Sequence, residues 1–92
     1  AAKAGLAGLT RSLASEFGPQ GVRVNLVAPG MTNTQMIANL PDKAKMLAKM
    51  NTPLRRLAEP EDVARVIAFL IGDGGRHITG ETIHVSGGVT MG

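Results

Sequence analysis

The run Val22-Arg23-Val24-Asn25-Leu26-Val27-Ala28-Pro29-Gly30 constrains this chain more than any other feature. Apolar, partly β-branched residues stop abruptly at Pro-Gly, and Met31-Thr32-Asn33-Thr34 follow. This pattern predicts a buried parallel strand, Val22 to Ala28, that hands over to a polar loop at its carboxyl end. In open α/β sheets that end borders the ligand crevice. Pro29 and Gly30 allow a sharp turn and a close backbone approach to a ligand. The loop then offers amides, and Thr32 and Thr34 offer hydroxyls, to something polar such as a cofactor. A plain strand and turn would carry the same residues.

On either side the pattern alternates between helix and strand. Leu6, Leu9, Leu13 and Phe17 fall on one face of a helix spanning residues 1 to about 17. Ala1, Gly5, Gly8, Ser12 and Ser15 make a second, small-residue stripe. Interior glycines cost a helix roughly 1 kcal/mol each, so the stripe predicts a close-packed partner and a helix buried on two sides, by its own sheet and by another helix. The alternative is a flexible glycine-containing surface helix. Gly18 suits a left-handed C-cap, and Pro19 prevents continuation. The helix opens on Ala-Ala-Lys with no capping residue, which points to a start further upstream.

Met31 to Pro53 is long for a connector. Asn39-Leu40-Pro41-Asp42 predicts a helix start within it, running through about Met50. Met31, Met36, Met46 and Met50 give the segment an adaptable apolar surface. It reads either as a lid over a ligand or as a helical hairpin whose methionines pack in the core. Pro60 with Glu61 and Asp62 opens a further helix. Its apolar face comprises Val63, Val66, Ile67 and Leu70, extended by Phe69 and Ile71, and Gly72 is a plausible C-cap. Thr79-Gly80 then turns into a last strand, Thr82 to Val85, which Gly87-Gly88 ends.

Composition narrows the classes of function. The net charge of +3 rests on scattered basic residues, with clusters only at Lys43-Lys45-Lys49 and Arg55-Arg56. The only aromatics are two Phe, neither interleaved with those clusters, so solvated helix faces fit better than a nucleic-acid surface. With no cysteine, nothing points to an oxidising compartment. No apolar stretch reaches the length of a membrane span. His77 and His84 have no companion ligands near them, so no metal site is expected. Asn25, inside a buried strand, needs a partner for its amide.

Ala1-Ala2-Lys3-Ala4-Gly5, then Arg23-Val24-Asn25 and Pro29-Gly30, then Ile78-Thr79-Gly80-Glu81-Thr82-Ile83-His84-Val85-Ser86-Gly87-Gly88, resemble in order and spacing the C-terminal part of the short-chain dehydrogenase/reductase family. Within it the likeness is greatest to members that reduce 3-oxoacyl thioesters. The resemblance covers essentially the whole chain. It implies an α/β fold, the C-terminal portion of a doubly wound parallel (Rossmann-type) sheet. Residues 1–92 would be the C-terminal part of one domain, with the glycine-rich cofactor loop and the catalytic serine and asparagine upstream.

Lys3 resembles the lysine of the family's Tyr-x-x-x-Lys pair, although this sequence contains no tyrosine. The resemblance implies that Lys3 binds the nicotinamide ribose and lowers the pKa of a tyrosine that donates a proton to the nascent alkoxide. Pro29, Gly30 and Thr32 match positions that line the nicotinamide, largely through backbone. Thr32 stands where a branched aliphatic residue is frequent. Thr34 matches a threonine that reaches the cofactor phosphates. Met31, Met36, Met46 and Met50 would belong to a substrate lid, and Ser86 replaces a common aspartate at a structural position.

The expected reaction is NADP-dependent, with NAD possible, and reduces a 3-oxoacyl thioester carried on acyl carrier protein. The expected protein is cytoplasmic and either homotetrameric or homodimeric. An NAD-dependent alcohol, sugar or steroid dehydrogenase is the alternative within the family. A non-catalytic oligomerisation module is the alternative outside that chemistry. The 92 residues by themselves are expected to fold poorly and to be inactive.

Overall fold

The computed structural model describes residues 2–30 and 38–89, apart from the side chains of residues 2 and 3. Among the described residues the main elements are, in order, α1 (Ala2–Phe17), β1 (Leu26–Pro29), α2 (Asp42–Met50), α3 (Pro60–Ile71) and β2 (Thr82–Val85). Short 3-10 turns, Gly18–Gln20 and Asp73–Gly75, follow α1 and α3.

The two strands pair in parallel, with Leu26 opposite Thr82, Val27 opposite Ile83, Ala28 opposite His84 and Pro29 opposite Val85. Parallel neighbours need a long crossover connection, and α3 lies within it. Side chains alternate across a strand. Val27 meets Ile67 and Leu70 of α3 around one cavity, and Ile83 meets Val66 and Leu70 around another. The odd-numbered face of the sheet is therefore the one that α3 covers. His84 belongs to the other face, and its Nδ1 is the one buried side-chain polar atom among those described that has no hydrogen-bond partner.

The first strand is shorter than the sequence predicts, because Val22 N–H turns back to the Phe17 carbonyl and residues 23–25 meet the chain near residue 79 through side chains and one backbone bond instead of a regular ladder. Val24 N–H donates to Thr79 Oγ1 at 3.0 Å, and Gly80 N–H donates to the Val24 carbonyl at 2.7 Å. Asn25 finds its partners here: Nδ2 donates to the Ile78 carbonyl at 2.9 Å, and Oδ1 accepts from Glu81 N–H at 3.1 Å.

At the end of α1 the left-handed residue is Gly21 (φ 78°) rather than Gly18, because the chain makes a 3-10 turn through Pro19 first. Gly21 N–H closes that turn on the Gly18 carbonyl at 2.9 Å. Gly72 does follow α3, but in an extended conformation. Its N–H continues the helical pattern to Ala68.

α1 packs against β1, and among its described side chains Thr10 and Ala14 are buried. The sheet therefore supplies one of the two expected sides. Within this single chain Leu6 and Leu9 are exposed and a side chain added at Gly5 would meet nothing, so the side expected to meet another helix has no partner among the described residues.

At the start of α3, Asp62 accepts from Glu59 N–H at 2.7 Å and pairs with Arg56 at 2.9 Å. Arg65 pairs with Glu61 one turn earlier at 2.7 Å. Leu70 is buried, whereas Ile67, Phe69 and Ile71 remain exposed. Ala14, Leu57 and Leu70 are the only buried apolar residues among those described, and no large side chain is completely enclosed.

Candidate functional site

The carboxyl ends of the two parallel strands meet at Pro29-Gly30 and Ser86-Gly87-Gly88, and these two turns form the base of the candidate site. Gly30 N–H donates to the Val85 carbonyl at 3.0 Å, extending the ladder one residue past β1. A Cβ on Gly30 would stand 3.0 Å from both Cα and Cβ of Ser86. The need for glycine at this position comes from the approach of Ser86, a neighbour that no local pattern in the sequence announces. Ser86 itself is buried, at 8% exposure.

This geometry limits what the turn gives a ligand. Proline has no amide hydrogen, and the Gly30 amide is engaged by Val85. Neither Pro29 nor Gly30 is therefore an amide donor.

The second turn holds the chain that returns from α2. Gly87 (φ 64°) and Gly88 (φ 97°) both adopt the left-handed region. Any side chain there would be strained and obstructed. A Cβ on Gly87 would lie 2.7 Å from Thr52 Cγ2, and one on Gly88 would lie 2.9 Å from Pro53 Cβ and Cγ. Leu54 N–H donates to the Gly87 carbonyl at 3.0 Å. Thr52, 5% exposed, donates from Oγ1 to the Ala48 carbonyl at 2.9 Å, so it caps α2 while it packs on Gly87. Arg55 follows in a left-handed conformation (φ 58°), a feature with no sequence signal, and its guanidinium hydrogen-bonds the Met50 carbonyl. A cavity of about 210 Å³ opens beside the turn, bounded by Leu54, Arg56, Ala58, Asp62, Val85 and Gly87.

α2 forms where the sequence predicts a helix, Asp42 to Met50. Met46 and Met50 are 62% and 59% exposed, so neither packs in a core. Leu47 and Leu54 are exposed beside them.

Lys3 is the second residue of α1. Ala14, near the other end of that helix, lies 3.5 Å from where a Cβ on Gly80 would be, at the amino end of β2. The helix therefore runs back along the sheet with its first turn directed toward the carboxyl ends of the strands. The Lys3 side chain, and the whole of Met31, Thr32, Thr34 and Met36, lie outside the described residues.

The Arg56 guanidinium, through its hydrogen bond and charge, holds the Asp62 carboxyl below the usual carboxylate range, and the Glu59 amide adds to this. The same contact raises Arg56. Among the described residues no group of three or more His, Cys, Asp or Glu could hold a metal ion.

A parallel strand pair with a crossover helix and a glycine-lined turn at its carboxyl end defines part of a doubly wound, Rossmann-type α/β layer. The comparisons agree with that class. The family model described as enoyl-(acyl carrier protein) reductase matches residues 1–90. A 3-oxoacyl-[acyl-carrier-protein] reductase of Pseudomonas aeruginosa is 45% identical over 91 residues, covering 99% of this chain and 37% of that protein. The reductase of the same name from Aquifex aeolicus is 49% identical over 87 residues, covering 95% and 35%. The crystal structure of a 3-oxoacyl-[acyl-carrier protein] reductase from Brucella melitensis superposes with a TM-score of 0.93 at 37% identity, covering 98% of this chain and 34% of that one. The chain belongs to the short-chain dehydrogenase/reductase family. It spans just over a third of the length of the curated relatives it matches.

Proposed function

We propose that these 92 residues act as the C-terminal part of one Rossmann-type domain in an enzyme that reduces a 3-oxoacyl thioester to the 3-hydroxyacyl form. The observation that carries this reading is the turn Pro29-Gly30, held by Ser86 at the carboxyl end of a parallel strand, in a chain about 45% identical to reductases of that name. The matching family model has enoyl reduction in its description, whereas these relatives are named for reduction of a ketone. Their names favour the ketone.

The residues present fit a nicotinamide cofactor. A dinucleotide binds in the crevice beyond the carboxyl ends of parallel strands, and the Pro29-Gly30 turn stands at that end of β1. Because Pro29 and Gly30 give no amide hydrogen, donors for the cofactor fall to the residues beyond them, with Thr32 and Thr34 as the candidates. When bound, the cofactor supplies the hydride. Lys3 holds the ribose hydroxyls, and its positive charge favours the phenolate of a tyrosine located outside these residues. That tyrosine protonates the nascent alkoxide. The exposed methionines of α2, Met46 and Met50, offer a deformable apolar surface to an acyl chain, with Met31 and Met36 in the same segment.

NADP is the preferred cofactor, in keeping with the reductive direction, and the substrate is carried on acyl carrier protein. A homotetramer or homodimer in the cytoplasm is the form in which the enzyme acts.

The test is NADPH oxidation by the intact protein with a 3-oxoacyl thioester. Turnover that falls by about 100-fold or more in Lys3→Ala supports the reading. Oxidation that requires a sugar or steroid ketone instead would move the assignment within the family. No turnover with any carbonyl, together with no nicotinamide binding, would leave the oligomerisation module.

A further inference from the structure

Three consecutive residues, Ser86, Gly87 and Gly88, receive both feet of the excursion that leaves the sheet at Gly30 and returns at Thr52. On one side the missing Cβ of Gly30 makes room for Ser86, at 3.0 Å. On the other, Thr52 and Pro53 fill the space that side chains on Gly87 and Gly88 would need, and Leu54 N–H is bonded to the Gly87 carbonyl at 3.0 Å. Thr52 also belongs to the end of α2: its hydroxyl donates to Ala48, and its N–H donates to Lys49 at 3.1 Å. A rigid path therefore runs from the cofactor-side turn, through Ser86 and Gly87, to the helix that carries Met46 and Met50. Close-packed contacts transmit displacement, and the space beside Gly87 on the Thr52 side is filled, whereas the cavity beside the turn opens toward Leu54, Arg56 and Val85.

We infer that Gly87 is a positioning residue: it fixes α2 against the Pro29-Gly30 turn and so sets the distance between the acyl-binding surface and the cofactor. The inference rests on the proposed reductase reading, which assigns those two surfaces their ligands. Gly87 touches neither ligand. It acts through Thr52 on one side and through Ser86 on the other.

The experiment compares wild type, Gly87→Ala, Thr52→Ser and the double variant in the intact protein, with NADPH and 3-oxoacyl thioesters of short and long chain. Wild-type turnover is measured first. Its absence would count against the reductase reading itself, separately from the role of Gly87.

In Gly87→Ala the new methyl group meets Thr52 Cγ2, 2.7 Å from where its Cβ would stand. Because the Thr52 hydroxyl is bonded to Ala48, on this inference the displacement is passed on to α2. A displacement of this kind near a reacting centre is costly. The expected result is a rise of about tenfold in KM for the long-chain thioester, with kcat and the short-chain KM changed less than about threefold. The Kd for NADPH rises in parallel, through Ser86. Thr52→Ser removes Cγ2 and keeps the hydroxyl that caps α2, so it restores the long-chain KM in the double variant. The strain of a left-handed alanine remains there, and the melting temperature stays lowered.

That separation of KM from stability is the signature of positioning. Gly87→Ala with a lowered melting temperature and wild-type KM values would overturn the inference, as would a double variant whose KM stays high. If Gly87→Ala does not fold, Thr52→Val keeps the packing on Gly87 and deletes the cap of α2. It should raise the long-chain KM in the same direction, and an unchanged value would overturn the inference.

Discussion

The Asn25 side chain holds the carbonyl of Ile78 at 2.9 Å across more than fifty residues of chain. Its other end accepts the amide of Glu81, so one side chain clamps the turn that feeds β2 and fixes which residue of β2 faces which residue of β1. The sheet's register, and with it the level of Ser86 against Gly30, depends on this clamp.

Replacing Asn25 by Leu strips the Glu81 amide of its partner and leaves the Ile78 carbonyl only the longer bond from Arg23, at 3.3 Å. The expected loss is about 1–3 kcal/mol, the range for polar groups left unpaired. Asn25→Asp keeps the acceptor for Glu81 and loses only the donor, so it should fall between wild type and Leu. Denaturant midpoints of the intact protein order the three. Equal midpoints would show that the clamp contributes nothing.

Gly30→Ala forces a methyl group onto Ser86. Overpacking of this kind costs about 1–3 kcal/mol. Ser86→Gly takes away the side-chain atom that the methyl group meets but leaves the backbone atom beside it in place, so the double variant should recover part of the loss and no more. A double-mutant cycle of unfolding free energies measures this coupling. Strictly additive effects would mean that the two residues do not meet.

Asp62 ties the start of α3 to Arg56, and its carboxyl titrates below the usual range in the folded protein. A depressed carboxylate means that the unfolded chain takes up the proton first. The stabilisation is therefore complete above the unfolded value, about 4, and disappears as pH falls through the folded value. Asp62→Asn should be less stable than wild type at neutral pH, with the difference shrinking in acid. Melting temperatures from pH 7 down to pH 2 test this, and a constant difference would contradict it.

The 92 residues as an isolated peptide should melt broadly, without a cooperative transition. Only Ala14, Leu57 and Leu70 are buried apolar residues among those described, while Leu6, Leu9, Phe69 and Ile71 face outward. Two strands rarely sustain a fold without neighbours. Calorimetry showing a sharp two-state transition would refute the expectation.

Much of the architecture was legible in the sequence because local chemistry decides it. Gly18-Pro19 stops α1, Pro41 and Asp42 open α2, and Pro60 with its following acids opens α3. The strand at Thr82–Val85 lies where a short β-branched run between two glycine turns placed it. Less legible was anything that needs a partner far along the chain. Residues 22–25 read as strand by composition, but Val22 bonds back to Phe17 and the hydrogen bonds of residues 23–25 go to side chains and turns near residue 79. The small-residue stripe of α1 predicts a packed face, but the sequence does not say against what: within this chain a side chain at Gly5 would meet nothing, and one at Gly8 would meet only the Arg11 guanidinium, at 3.9 Å. Helical periodicity reports which faces are apolar, not what covers them.

For the site, sequence and family resemblance brought out the Pro29-Gly30 turn and the methionine-bearing helix, together with Lys3, Thr32 and Thr34 as expected ligands of a cofactor. The order of residues also determined by itself where the chain must turn, because proline and glycine restrict or free the backbone wherever they stand. Only the tertiary structure decided why Gly30 and Gly87 must be glycine: Ser86 occupies the space beside one, and Thr52 the space beside the other. Those contacts join positions 35 to 56 residues apart, and steric exclusion between such positions exists only once the strands have paired.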